Sequence, residues 1–322
     1  MSVVPDGPEQ VNRRHRIAVC SRSFSRNSVL RQELTDRYED VAFNDDGLKL
    51  DREVLVEFLA GRHKAIIGLE RIDGDLLERL PDLEVVSKYG VGTDMLDLSE
   101  MRRRGVRLGW SGGVNSRAVA ELVVATTIAL LRDLPALSRG VLAGEWNQTM
   151  GRQLSGRTVG IIGWGSIGRD LASLLRGFGC RVLATDLRDV ADDCRAVGAE
   201  PSGLDDLLAS SDVVTLHIPL TIETSALIDA ARLSLMRPDA VLVNASRGGL
   251  VDEEALWEAL SSGRLAAAAC DVFAIEPPTG SPLLDLPNFL ATPHIGGSTE
   301  EAYLAMGRAA IAGLDENSLP DP

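Results

Sequence analysis

Short apolar runs recur along the chain at the spacing expected of buried parallel strands. Ile17-Ala18-Val19-Cys20, Ala65-Ile66-Ile67-Gly68 and Leu83-Glu84-Val85-Val86 read as strands. Helical stretches such as Val54 to Leu59 and Gly74 to Leu80 lie between them. Strands alternating with helices predict βαβ units and a parallel sheet. From Asn115 to about Gly144 the pattern becomes a long, strongly apolar helix, interrupted at Pro135 and capped by Asn115 or Ser116. A helix that apolar has to be buried, either between domains or against a second copy of the chain. A second βαβ series follows. Thr158 to Ile162 and Arg181 to Thr185 read as strands flanking a helix from Ile167 to Phe178. Further strands are predicted at Asp212 to Leu216, Ala240 to Asn244, Leu265 to Cys270 and Phe289 to Thr292. Helices are predicted at Asp252 to Ser261 and at Ser298 to about Ala312. No low-complexity linker or short repeat divides the two series, so the pattern predicts two packed α/β domains.

The length of 322 residues suits two domains, and 45% hydrophobic with 25% charged residues suits a full core. The net charge of −14, from 47 acidic against 33 basic residues, argues against nucleic acid and anionic membrane surfaces as partners. Cys20, Cys180, Cys194 and Cys270 are scattered without a Cys-x-x-Cys pair. They predict neither a disulfide framework nor a zinc site, and reduced thiols point to the cytoplasm. The N-terminus is polar and lacks an apolar signal core. Residues 1–15 are expected to form a flexible tail, with His15 and His63 exposed and uninvolved. The longest apolar stretch, Ala118 to Leu131, contains Glu121 and two threonines and is too short to span a bilayer.

Gly163-Trp164-Gly165-Ser166-Ile167-Gly168 directly follows one predicted strand and opens a predicted helix. In a dinucleotide-binding loop the first glycine permits the tight turn and the second lets backbone approach a pyrophosphate. The third allows close packing of helix on sheet, and the helix N-terminus offers N–H groups to the anion. Three glycines at this spacing can also be an ordinary strand–helix turn. Asp186, at the end of the next predicted strand, stands where a ribose hydroxyl is bound and decides for the dinucleotide.

From His217 onward the chain resembles the D-isomer-specific 2-hydroxyacid dehydrogenase family, in its short branch similar to 3-phosphoglycerate dehydrogenase. The resemblance is carried by His217-Ile218-Pro219-Leu220-Thr221 with Thr224, and by Asn244-Ala245-Ser246-Arg247-Gly248-Gly249. Asp271-Val272-Phe273, Glu276-Pro277-Pro278 and Thr292-Pro293-His294-Ile295-Gly296-Gly297 follow in order. Upstream, Tyr89-Gly90-Val91-Gly92-Thr93-Asp94 and the Ala120-Glu121 helix fit the same family. The resemblance implies NAD as cofactor and Arg247, Glu276 and His294 as the catalytic trio. Hydride reduction of a ketone builds negative charge on its oxygen, so an acid must deliver a proton there, and histidine can do so in both directions. A carboxylate such as Glu276 favours the imidazolium and orients the ring. The planar fork of Arg247 can pair with a substrate carboxylate and polarise the carbonyl. The cofactor side is implied to comprise the loop residues Gly163, Gly165, Ser166, Ile167 and Gly168, with Asp186, His217, Pro219 and Thr224. Ala245, Ser246, Arg247, Asp271, His294, Gly296 and Gly297 complete it, Asp271 holding the nicotinamide amide. The N–H groups of Gly90-Val91-Gly92, with Arg247, are implied to take the substrate carboxylate.

The fold implied is α/β: two Rossmann-like, doubly wound domains with an interdomain cleft, as in formate and glycerate dehydrogenases. Residues 16–112 plus 296–322 would form the substrate domain and 113–295 the NAD-binding domain, with closure excluding water. Helices of the 115–150 region would pair two chains in a homodimer. The chain stops soon after its last helix, so no regulatory extension or allosteric serine site is expected. Hydride transfer between NAD and a small 2-oxo or D-2-hydroxy acid is the expected function. The phosphate-gripping arginine of 3-phosphoglycerate dehydrogenases falls at Gly68, followed by Glu70, which argues against a phosphorylated substrate. Arg71 or Lys88 reaching in from another direction would keep 3-phosphoglycerate, or a phosphonate-bearing acid such as phosphonopyruvate, as the alternative. A reading of another class also stands, since some relatives are NAD-sensing corepressors with a similar trio.

Overall fold

The computed structural model describes residues 13–321. Five short strands, β1 (Arg16–Val19), β2 (Asp40–Phe43), β3 (Lys64–Ile67), β4 (Val85–Lys88) and β5 (Arg107–Gly109), pair in parallel in the order β2-β1-β3-β4-β5. Seven more form a second all-parallel sheet: β6 (Thr158–Ile162), β7 (Arg181–Thr185), β8 (Glu200–Pro201), β9 (Val213–Leu216), β10 (Val241–Asn244), β11 (Ala267–Cys270) and β12 (Phe289–Ala291). Their order is β12-β11-β10-β9-β6-β7-β8, which reverses direction between β6 and β9. The described residues divide into two compact units, 13–115 with 299–321, and 116–298.

The strand sequences explain the sheets. β3, β4, β9, β10 and β11 are buried along their whole length, as strands covered on both faces must be. In the larger unit, Leu183, Val214, Leu242 and Ala268 face one layer with Leu207, Leu233 and Leu256. Val159, Ile161, Val182 and Val243 face the other, with Val123, Leu171 and Leu175. Alternate strand residues therefore feed two helical layers, which makes the sheet doubly wound. In the smaller unit the Glu300–Gly313 helix packs against β4 and β5. Ser87 Oγ donates to the Ala310 carbonyl at 2.7 Å. This contact fastens the end of the chain to β4.

Several local expectations are refined. The interruption expected in the 115–144 stretch separates two helices, Ser116–Leu131 and Leu134–Leu142, and falls just before Pro135. The break is at Asp133, in left-handed backbone with φ 55°, and Pro135 falls in the first turn of the second helix, where its missing N–H costs nothing. Asn115 Oδ1 is buried without a hydrogen-bond partner among the described residues, so it does not cap the first helix. β4 begins two residues later than its apolar run, because pairing with β3 sets Val85 opposite Lys64. Of the expected tail, residues 1–12 lie outside the described residues, and Arg13 is held by its carbonyl, which accepts from the Glu39 N–H. His15 and His63 are half-buried and face each other with ring centroids 5.3 Å apart, and His63 Nδ1 accepts from the Arg16 N–H. No helix among the described residues is long and apolar enough to cross a membrane.

Candidate active site

β6 runs straight into the glycine loop. Gly163 has φ 105°, and a methyl group built on it would lie 2.3 Å from the His217 carbonyl oxygen. One built on Gly168 would lie 2.2 Å from the Gly163 carbonyl oxygen. Both positions therefore exclude any side chain. Gly165 is different, because a methyl there would meet nothing within 4 Å. The loop is closed at its first and third glycines and open at the second, which is the shape a pyrophosphate needs. Gly165 caps the Ser166–Arg176 helix without a side-chain hydrogen bond, so its first N–H groups keep their anion-binding capacity.

Asp186 follows β7 and reaches back to the loop. Its Oδ2 accepts from the Trp164 N–H at 2.8 Å, and its Oδ1 accepts from the Arg188 N–H at 3.1 Å. The Arg188 guanidinium donates to the same carboxylate at 3.1 and 3.3 Å. Burial pushes the carboxyl pKa up, but Arg188 and the two N–H groups outweigh it and hold it below the ordinary value. Asp186 is thus a fixed anion at the edge of the loop.

His217 ends β9. Its Nε2 lies 3.0 Å from Thr215 Oγ1, two residues back on the same strand face, and its Nδ1 is buried without a partner among the described residues. Burial pushes its pKa down to about 3. Burial therefore favours the neutral imidazole at His217, which makes it a poor proton donor. Thr224 Oγ1 accepts from the Thr221 N–H at 2.7 Å and donates to the Pro219 carbonyl at 2.8 Å, which folds the following loop on itself.

Two buried polar side chains shape the loops beyond β10 and β11. Asn244 donates from Nδ2 to the Arg247 carbonyl at 2.9 Å and accepts from the Ser246 N–H at 3.1 Å. Ser246 Oγ donates to the Ile218 carbonyl at 2.7 Å, so Ala245, Ser246 and Arg247 form a tight bend. Asp271 accepts from Thr292 Oγ1 at 2.6 Å, from the Ile295 N–H at 2.8 Å and from the Gly296 N–H at 2.7 Å. That carboxylate pins the segment after β12 and with it His294, whose own N–H donates to the Asp271 carbonyl. His294 sits in left-handed backbone with φ 54°, which turns its ring toward Glu276. Nδ1 and Glu276 Oε2 are 2.9 Å apart, with the imidazole half-exposed. Glu276 Oε1 accepts from the Phe273 N–H at 3.1 Å, which orients the carboxylate in turn. Asn244 and Thr292 stand in the family motifs but had no role assigned from the sequence, and Thr215 was not singled out. The signal for Thr215 is position alone, two residues before His217.

Residues 124–296 match the family model for the NAD-binding domain of D-isomer specific 2-hydroxyacid dehydrogenases. The chain belongs to that family. The glyoxylate reductase of Thermococcus onnurineus is 36% identical over 291 residues, covering 87% of each chain. The D-3-phosphoglycerate dehydrogenase of Archaeoglobus fulgidus is 37% identical over 263 residues, 80% of this chain and 50% of that protein. This family member spans about half the length of such D-3-phosphoglycerate dehydrogenases. In fold, a glyoxylate reductase from Paecilomyes thermophila superposes with a TM-score of 0.83 at 26% identity, covering 93% of this chain and 94% of that one. The glycine loop and Asp186 accordingly sit in the NAD-binding domain of a 2-hydroxyacid dehydrogenase family member.

Proposed function

We propose that the protein is an NAD-dependent dehydrogenase that interconverts a small, unphosphorylated 2-oxo acid and the corresponding D-2-hydroxy acid. The observation that carries this reading is the His294–Glu276 pair: an oriented imidazole, half-exposed, on a loop that Asp271 holds rigid. NADH, when bound, supplies the hydride that reduces C2. His294 gives a proton to the developing alkoxide from Nε2 and takes it back in the reverse direction. Glu276 holds Nδ1 and so aims Nε2. Arg247 pairs with the carboxylate and polarises the carbonyl, and the Gly90-Val91-Gly92 turn supplies N–H groups to the same carboxylate. Gly163, Gly165, Ser166, Ile167 and Gly168 cradle the pyrophosphate, and Asp186 takes the ribose hydroxyls. His217, Pro219, Thr224, Ala245, Ser246, Asp271, Gly296 and Gly297 line the rest of the dinucleotide. A cytoplasmic location and a homodimer through residues 115–150 belong to the same proposal. Exposed Leu142, Trp146 and Met150 support the dimer.

The direct test is steady-state oxidation of NADH with pyruvate, glyoxylate, hydroxypyruvate, phosphonopyruvate and branched 2-oxo acids. At least one unphosphorylated acid is expected to turn over. Binding of NADH without turnover of any of them would leave a cofactor-sensing protein. The cofactor assignment has its own test. NADH is expected to outperform NADPH, because the Asp186 carboxylate repels a 2′-phosphate. Asp186→Ser releases Arg188 from its ion pair, so the NADPH-to-NADH ratio of kcat/KM should rise roughly tenfold or more. An unchanged ratio would take Asp186 out of cofactor choice.

A further inference from the structure

The Gly90-Val91-Gly92 turn leaves the C-terminal end of β4 and is tied down at both ends by main chain. The Tyr89 N–H donates to the Ile67 carbonyl at 2.8 Å, and the Thr93 carbonyl accepts from the Leu96 N–H at 2.9 Å. Between these anchors the Val91 carbonyl accepts from the Trp110 indole N–H at 2.9 Å. Among the described residues no other group holds that carbonyl, and the N–H groups of Gly90, Val91 and Gly92 donate to no backbone carbonyl.

Trp110 reaches the turn through strand register. β5 pairs with β4 so that Gly109 stands opposite Ser87, and the next residue leaves the sheet at the end from which the turn departs. Trp110 is 49% exposed and contributes to no apolar core cluster among the described residues. Its ring folds back over Gly112, where an added methyl group would lie 3.0 Å from it. A tryptophan that fills no core and spends its one polar group on a glycine turn is placed for that turn. A trans peptide points its carbonyl and its N–H in opposite directions. Holding the Val91 carbonyl against the indole therefore aims the Gly92 N–H the other way. Gly92 offers little steric resistance to rotation of this plane, and a flipped peptide would present a carbonyl oxygen where the N–H had been. That oxygen repels an anion.

We propose that Trp110 is a positioning residue, whose indole N–H holds the Val91–Gly92 peptide so that the Gly92 N–H faces the substrate carboxylate. The proposal rests on the assignment of the turn to substrate binding. An anion accepting from the Gly92 N–H polarises the peptide and makes its carbonyl a stronger acceptor, so the two hydrogen bonds reinforce each other.

The test measures binding of oxamate, a carboxylate shaped like pyruvate, by calorimetry on the full chain with NADH present. In parallel, NMR follows the indole N–H signals of the four tryptophans, assigned by replacing each in turn with phenylalanine. Oxamate should move the Trp110 indole proton downfield. Trp110→Phe keeps a ring but removes the N–H, and should weaken oxamate by about threefold or more while NADH affinity stays within about twofold. Where that variant does not fold, Gly112→Ala serves, since its methyl group must push the ring aside, and the same loss is expected. A merely structural tryptophan would lower the melting temperature and leave the oxamate affinity and the indole shift alone. A smaller loss of oxamate in the variant measured, an equal loss of NADH, or oxamate binding to the parent without the downfield shift overturns the proposal. No oxamate binding to the parent overturns the assignment of the turn, and the proposal with it. Turnover of the 2-oxo acid panel is a separate readout, so failure of the dehydrogenase reading and failure of the Trp110 reading are told apart.

Discussion

His294→Gln is expected to keep NADH binding and to lose turnover by roughly 10²–10⁴-fold, the usual worth of a positioned proton donor. Glutamine is close in length to histidine and can still donate to Glu276 Oε2, so the loop held by Asp271 should persist. What it cannot do is transfer a proton near neutral pH. One complication is the left-handed backbone at residue 294, which glutamine tolerates less well than histidine. His294→Asn removes that objection, because asparagine adopts this backbone readily, and it should lose turnover to the same extent. NADH fluorescence titration and steady-state kinetics on both variants check the result. Near-native turnover in either would show that another group delivers the proton.

The second large effect concerns substrate choice: 3-phosphohydroxypyruvate is expected to be reduced more slowly than an unphosphorylated 2-oxo acid. The resemblance puts the phosphate-gripping arginine at Gly68, a position with no side chain. The Gly68 N–H already donates to Glu70, whose carboxylate opposes a second anion. The two cations that were candidates to replace that arginine are placed poorly for it. Lys88 is buried and spends donors on two carbonyls. The Arg71 side chain is 81% exposed and lies 3.4 Å from Asp73 Oδ2. Losing a charged hydrogen bond to phosphate costs about 1.5–3 kcal/mol, on the order of ten- to a hundredfold in kcat/KM. Competition between 3-phosphohydroxypyruvate and the unphosphorylated acids, each with NADH, measures it. If the phosphorylated acid has the highest kcat/KM of the set, Gly68 and Glu70 do not set the substrate.

Much of the scaffold was legible in the sequence because it follows local rules. Strands buried on both faces are uninterrupted apolar runs, so β1, β3, β6, β7, β9, β10 and β11 announce themselves. β2 and β5 do not: Asp40–Phe43 is only half-buried and Arg107–Gly109 has a single buried residue, so neither carries a strong pattern. The glycine loop was readable because each glycine answers a steric demand set within a few residues. His294 and Glu276 could be named from their motifs, but their 2.9 Å contact spans 18 residues and depends on where β12 ends and on a left-handed histidine.

By itself, the sequence determined the alternation of strands and helices, the dinucleotide loop with its acid, and the residue types able to move a proton. Only the tertiary structure decided which polar groups are consumed in holding others. Asp271 spends three acceptor positions on the His294 loop, Asn244 bends the chain at Arg247, and Lys88 and Trp110 meet at one turn from separate strands. Those assignments depend on the register and order of parallel strands far apart in sequence. A buried polar group must find its partner wherever the sheet brings one, and no local pattern records that choice.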